Sequence, residues 1–182
     1  MREIDKQTRV GRRSFLQAGA AAGPAVAVAA AGVATTPASA WAGVAANLTP
    51  HVMATLQKLA RDIFPHDRLA DKYYAAAIAG YDALAADPEK KNLLTEGVAW
   101  LDADAAGKYK VANYLAVNWE ADRVTLIQGI VHTPFFAKIR GDLVVSLYNQ
   151  KEIWPKFGYE GSSAEHGGYI KRGFDDIDWL QS

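Results

Sequence analysis

Residues 49–65 read Thr-Pro-His-Val-Met-Ala-Thr-Leu-Gln-Lys-Leu-Ala-Arg-Asp-Ile-Phe-Pro, and this stretch decides the fold class. The Thr49 hydroxyl can accept from orphan amides of a first helical turn, and Pro50 presets φ at the first helical position. Val52, Leu56, Leu59 and Ile63 follow at steps of four, three and four, which puts them on one helix face. The helix is predicted to stop at Phe64, because the residue before Pro65 is pushed out of the α region.

The same cap-then-proline device recurs at Asp87-Pro88 and Thr133-Pro134. Between these signals, Asp71 is expected to cap a second helix over 72–86, with Tyr74, Ala77, Ile78, Tyr81 and Leu84 as its apolar stripe. A third helix, 88–105, would bury Leu94, Val98, Leu101 and Ala105, and Gly97 beside that stripe predicts a close crossing. Residues 109–117 read as a loop holding one helical turn. A fourth helix over 120–130 would present Val124, Ile127 and Val131, and a fifth over 134–148 would present Phe136, Ile139, Leu143 and Leu147. Ala42–Leu48 reads as a linker, and no segment is strand-rich. The expectation is an all-α protein of about five helices, 41–148, followed by a long irregular C-terminal extension, 149–182.

That extension, NQKEIWPKFGYEGSSAEHGGYIKRGFDDIDWLQS, carries six aromatic residues and five glycines with no period of 3.6 or 2. Disordered tails have few aromatics, so this one must be held by something. Trp, Tyr and Arg most often dominate binding energy, because a rigid body can be buried while a polar edge finds a partner. Trp154, Phe157, Tyr159, Tyr169, Arg172, Phe174 and Trp179 are therefore the predicted partner-binding set. The tail is expected to wrap over a second protein rather than back onto its own helices.

At the other end, Arg2, Lys6, Arg9, Arg12 and Arg13 precede an Ala/Gly-rich run that closes in Ala38-Ser39-Ala40, and no further charged residue appears until Lys58. A basic region, a mildly apolar run and an A-x-A site make an export signal cleaved after Ala40. Adjacent Arg12 and Arg13 followed by Phe15-Leu16 resemble the twin-arginine (Tat) signal, whose pathway exports folded proteins. The competing reading, a membrane anchor, is weakened by an 18–36 run made mostly of Ala, Gly and Val.

Composition narrows the chemistry. The chain has 182 residues with 20 basic and 20 acidic side chains. Removing the leader's five basic and two acidic residues leaves 15 and 18, a net charge of −3, with none of the basic excess of a nucleic-acid binder. Cysteine is absent, which excludes disulfides, thiolate-held clusters and a Cys nucleophile. His51, His66, His132 and His166 are scattered, away from metal-ligand spacing. His66-Asp67 could serve as an acid–base pair, but a Pro-x-Asp turn that leads into the next helix explains it as well. Asp175, Asp176 and Asp178 lack the turn glycine and later ligands of a calcium loop. The residues argue against an independent enzyme, and name no cofactor for this chain.

Several motifs, taken together, resemble one family. They are Phe64-Pro65-His66-Asp67, Thr133-Pro134-Phe135-Phe136, Arg140-Gly141-Asp142-Leu143, Phe157-Gly158-Tyr159-x-Gly161 and Gly167-Gly168-Tyr169-x-x-Arg172-Gly173-Phe174-Asp175-Asp176-Ile177-Asp178-Trp179. With the leader they resemble the gluconate 2-dehydrogenase subunit 3 family. The resemblance implies a small, cofactor-free, non-catalytic subunit of a periplasmic or membrane-associated dehydrogenase. Its large partner would be a flavoprotein of the glucose-methanol-choline type that holds FAD and oxidises an alcohol, sugar or sugar acid, often passing electrons to a cytochrome c subunit. The small subunit would stabilise the large one and escort it through the Tat pathway. A stand-alone periplasmic enzyme using His66 and Asp67, or a helical binding protein, are the competing readings.

Overall fold

A computed structural model describes residues 40–170, and among them the chain is all-α, without strands. Six α-helices follow in order: α1 Pro50–Ile63, α2 Asp71–Ile78, α3 Gly80–Leu84, α4 Pro88–Tyr109, α5 Glu120–Gln128 and α6 Pro134–Ser146. Short 3₁₀ turns lie at Tyr114–Ala116 and Lys151–Phe157.

The three cap-then-proline signals each start a helix. Thr49 Oγ1 accepts from Val52 N at 3.3 Å, Asp87 Oδ1 from Glu89 N at 2.8 Å, and Thr133 Oγ1 from Phe136 N at 3.2 Å. α1 is the hub, packing on α2, α4, α5, α6 and the Tyr114–Ala116 turn. Its expected stripe is correspondingly too narrow. Met53, Ala54, Thr55, Leu56, Leu59 and Ala60 are all buried, so the helix meets neighbours around most of its circumference. Met53, Leu56 and Leu59 each contribute about 1.5–3 kcal/mol when removed from water.

Several boundaries differ from the sequence reading. The expected second helix breaks into α2 and α3 at Ala79-Gly80, and Asp71 lies inside the first turn of α2 while uncapped Ala70 precedes it. Asp71 instead receives Arg61 Nη1 at 3.0 Å. Leu84 is half-buried, and Ala85 is the residue that faces the core. α4 runs four residues past the expected 105, to Tyr109, and Lys110 closes it in the left-handed region at φ 57°. On α5 the stripe is Arg123, Leu126 and Ile127, continued by Ile130 after the helix ends; Val124 is half-buried and Val131 exposed. The turns of a short helix allow two neighbouring stripes, and packing on α1 selects this one. On α6 it is Phe135 rather than Phe136 that is buried, with Ile139, Leu143 and Leu147 in the core as expected.

The linker is not loose. Trp41 and Leu48 are buried, Trp41 Nε1 donates to Gln57, and the amides of Ala46, Asn47 and Leu48 all donate to the Asp82 carboxylate at 2.9 Å. Burial raises the pKa of Asp82, but these three amides and Lys91 outweigh it and hold the carboxyl below its ordinary range. The chain entering α1 is thereby tied to α3.

The crossing expected at Gly97 is present, since a Cβ there would collide with the buried ring of Phe135. A Gly97→Ala change should therefore destabilise the fold by about 2 kcal/mol, overpacking outweighing the helix-propensity gain. Urea unfolding checks this, and adding Phe135→Leu should recover part of the loss.

Candidate functional site: an aromatic seam over a buried ion pair

The tail begins inside the fold. Lys151–Phe157 forms a 3₁₀ turn whose Ile153 is fully buried in the common core. Trp154, half-buried, donates its indole N–H to the Tyr148 carbonyl at 2.8 Å, and Gln150 donates to the Tyr73 carbonyl at 3.0 Å. The boundary expected after Tyr148 therefore does not divide packed core from extension. Residues 149–158 fold back onto the helices, contrary to the expectation that the tail leaves them. The reason is Ile153, an apolar side chain that is fully buried in the common core.

Beyond Trp154 the side chains turn outward. Phe157 is 46% exposed, Tyr159 51%, Tyr169 70% and Ile170 86%, so apolar surface persists along one segment. Tyr159 stacks edge-on against Trp154 with centroids 5.1 Å apart. Gly158, Gly161, Gly167 and Gly168 all take positive φ, which lets the 158–168 loop coil over Trp154. Its closure is polar: Gly168 N donates to Ser163 O at 2.7 Å and Lys151 pairs with Glu165 at 2.9 Å. Of the predicted partner-binding residues, Trp154 and Tyr159 are brought into contact, while Phe157 packs on His66 and Tyr148. Tyr169 is farther along the same segment, and Arg172, Phe174 and Trp179, like Arg12, Arg13, Phe15 and Leu16, lie outside the described residues.

Phe157 meets the turn that leaves α1. Its ring lies 4.9 Å from His66 and 5.9 Å from Tyr148, and Phe64 packs edge-on to Tyr148 at 5.7 Å. His66 Nε2 is 2.6 Å from the Tyr148 hydroxyl, so the imidazole is engaged across 82 residues while its neighbour Asp67 is exposed. The His66 amide donates to Tyr74 Oη, and that hydroxyl donates to the Phe64 carbonyl at 2.6 Å. The Pro65–Arg68 segment thus turns as expected, and what orients His66 is tyrosine.

Beside His66 lies a cavity of about 80 Å³, lined by Lys58, Arg61, Pro65, His66, Asp67 and Glu120, with the buried side chains of Asp62 and Arg123 as its floor. That floor is a buried ion pair which the sequence reading missed. Arg123 Nε and Nη2 donate to the two Asp62 oxygens at 2.8 and 3.1 Å, and Nη1 donates to the Val117 and Asn118 carbonyls at 2.8 and 2.9 Å. Tyr114 donates to Asp62 Oδ2 at 2.7 Å. Burial opposes the charge on Arg123, but its bonds to Asp62 win and raise its pKa; burial and Asp62 both push the Tyr114 phenol upward. A second carboxylate, Asp102, takes His51 Nε2 at 2.6 Å and the Tyr114 amide at 2.9 Å. Among the described residues no group of three or more His, Asp or Glu side chains is placed to hold a metal ion. The only local signal for the pair was charge on apolar faces: Asp62 lies three residues after Leu59, and Arg123 three before Leu126.

No protein-family model, curated protein or solved structure matches this chain.

The ion pair is expected to matter more broken than replaced. Arg123→Ala would strand a buried carboxylate and cost about 3–5 kcal/mol, whereas Asp62→Leu with Arg123→Met should cost much less. Urea unfolding of both variants tests this. Equal losses would show that the carbonyls of Val117 and Asn118, not the charge, are what Arg123 chiefly serves.

Proposed function

We propose that this chain is the non-catalytic small subunit of an exported flavin-dependent dehydrogenase, docking through its C-terminal segment onto a large FAD-containing subunit of the glucose-methanol-choline type. The observation that carries the reading is the row Phe157, Tyr159, Tyr169 and Ile170, which stays in water on a segment whose root is clamped into the core by Ile153. Exposed apolar side chains set among charges mark an interaction site, and Lys151, Glu152, Lys156 and Glu165, all exposed, lie on the same segment. A rooted segment also meets its partner with much of its ordering already done, which lowers the entropic cost of binding.

The rest of the proposal comes from the family resemblance. The partner would oxidise an alcohol, sugar or sugar acid, with a cytochrome c subunit as a further component. The twin-arginine leader would carry both chains to the periplasm, where the complex is either soluble or membrane-associated through its other subunits. Among the described residues, no helix of this chain is long and apolar enough to cross a membrane.

Two outcomes are expected. Ending the chain after Gly158 should preserve helical circular dichroism and melting temperature yet abolish co-purification of a flavin-containing dehydrogenase. Tyr159→Ala or Tyr169→Ala should weaken that complex by about 2 kcal/mol or more, the scale of an interface hot spot. Recovery of the full-length chain from its native host without flavin or dehydrogenase activity would overturn the reading. Separately, changing Arg12 and Arg13 together to Lys should leave the folded chain unaltered and strand both it and the dehydrogenase activity in the cytoplasm, as read by fractionation.

A further inference from the structure

The root of the exposed row is held at two places of different chemistry. Ile153 and Trp154 anchor it by burial and an indole N–H bond. Phe157, at the far end of the 3₁₀ turn, is held by the rings of His66 and Tyr148. Only the second hold contains a group that titrates near neutrality. We propose that His66, Tyr148 and Phe157 form a pH-operated clasp on the docking segment, closed while His66 is neutral and opened by its protonation.

The clasp takes the neutral ring in the tautomer whose Nε2 accepts the Tyr148 hydroxyl proton across the 2.6 Å contact. Burial keeps the phenol protonated by raising its pKa, so it remains a donor. Protonating Nε2 turns it into a donor, so the bond must reverse: the phenol oxygen accepts, and its own proton has to leave the 2.6 Å line between the two side chains. The charged ring must also give up water against two aromatic rings, at 5.6 Å from Tyr148 and 4.9 Å from Phe157.

Among the described residues, the charges around His66 do not supply a dedicated counter-ion. From α1, Lys58 and Arg61 line the same cavity and oppose a positive ring; from α5, Arg123 does so too. Asp62 is spent on Arg123 and Tyr114. Asp67 and Glu120 would favour the charge, and both are exposed. From α2, Tyr74 contributes only its hydroxyl, to the His66 amide. Desolvation therefore decides, and it sets the His66 pKa below its ordinary 6.5. A base with a lowered native pKa contributes stability that is fully present above about 6.5 and lost as pH falls below that value.

Opening frees Phe157 and the turn leading to Tyr159, while Ile153 and Trp154 stay in place. The surface presented by the docking segment would then follow the pH of the compartment, a consequence that rests on the partner reading above. The clasp itself does not depend on it.

The test uses the full chain alone. Hydrogen exchange, corrected for the intrinsic pH dependence of the amide rates, is followed between pH 7.5 and 5.5. The amides of Gly158 and Tyr159, bonded to Pro155 and Trp154 carbonyls, should lose protection on acidification, while those of Met53 to Ala60 in α1 keep theirs. In His66→Gln, which keeps a polar side chain that does not titrate, the acid-induced loss should vanish. Unchanged protection at Gly158 and Tyr159 in the wild type overturns the proposal, as does an equal loss in the variant. Should the variant fail to fold, the His66 ring of the wild type is titrated by NMR. Its midpoint must lie below 6.5 and coincide with the loss of protection, and a mismatch overturns the clasp. No flavoprotein enters this experiment, so its result is separate from whether one is ever captured.

Discussion

The fold turns on the ion pair between Asp62 and Arg123. Five hydrogen bonds converge there, from Arg123 and Tyr114 onto Asp62 and from Arg123 onto the Val117 and Asn118 carbonyls. They join the last turn of α1, the first turn of α5 and the loop between α4 and α5. Both charged side chains are almost wholly removed from water, at 3% and 6% exposure. Such a pair is a poor source of net stability, because desolvation offsets much of the attraction. It is a strong source of geometry, since neither charge tolerates any arrangement that leaves it unpaired. The irregular chain between α4 and α5 has only one short 3₁₀ turn of its own, and this pair, with Asp102 holding the Tyr114 amide, gives it one position.

That geometry propagates to the surface. The end of α1 fixes where Phe64 and His66 emerge, and Tyr74 locks this exit by receiving the His66 amide and donating to the Phe64 carbonyl. Tyr148, at the end of α6, then bridges to His66, and Phe157 lies across both. A buried charge, an ordered exit turn and an aromatic seam are successive layers of one arrangement.

The C-terminal segment shows why exposure and packing have to be judged residue by residue. Ile153 is fully buried and Trp154 half-buried, yet Phe157 and Tyr159, a few positions on, are about half in water. The segment changes role at Gly158, where φ of 72° turns the chain out of the 3₁₀ helix. Before it, Ile153 completes the core of the helical body and Trp154 packs against it, while Phe157 is already 46% exposed. After it, a loop with positive-φ glycines and short polar closures holds Tyr169 and Ile170 in water, while Tyr159 keeps one edge-on contact with Trp154.

Helix starts were legible in the sequence because a cap is a local event: Thr49, Asp87 and Thr133 each bond amides two or three residues away, and proline fixes the next φ by covalent geometry. The all-α class followed from that, and so did the close crossing at Gly97, since a missing side chain on an apolar stripe is written in one place. Phe157, Tyr159 and Tyr169 stood out in the sequence as aromatics of an aperiodic segment, and the structure adds that each is exposed. Which stripe of α5 faces inward, where the second helix breaks and which residue roots the tail were decided only by packing, because each depends on a neighbour far along the chain. The Asp62–Arg123 pair spans 61 residues and His66–Tyr148 spans 82. No local periodicity records such partners, and desolvation, which exists only once the core has closed, is what makes them binding constraints.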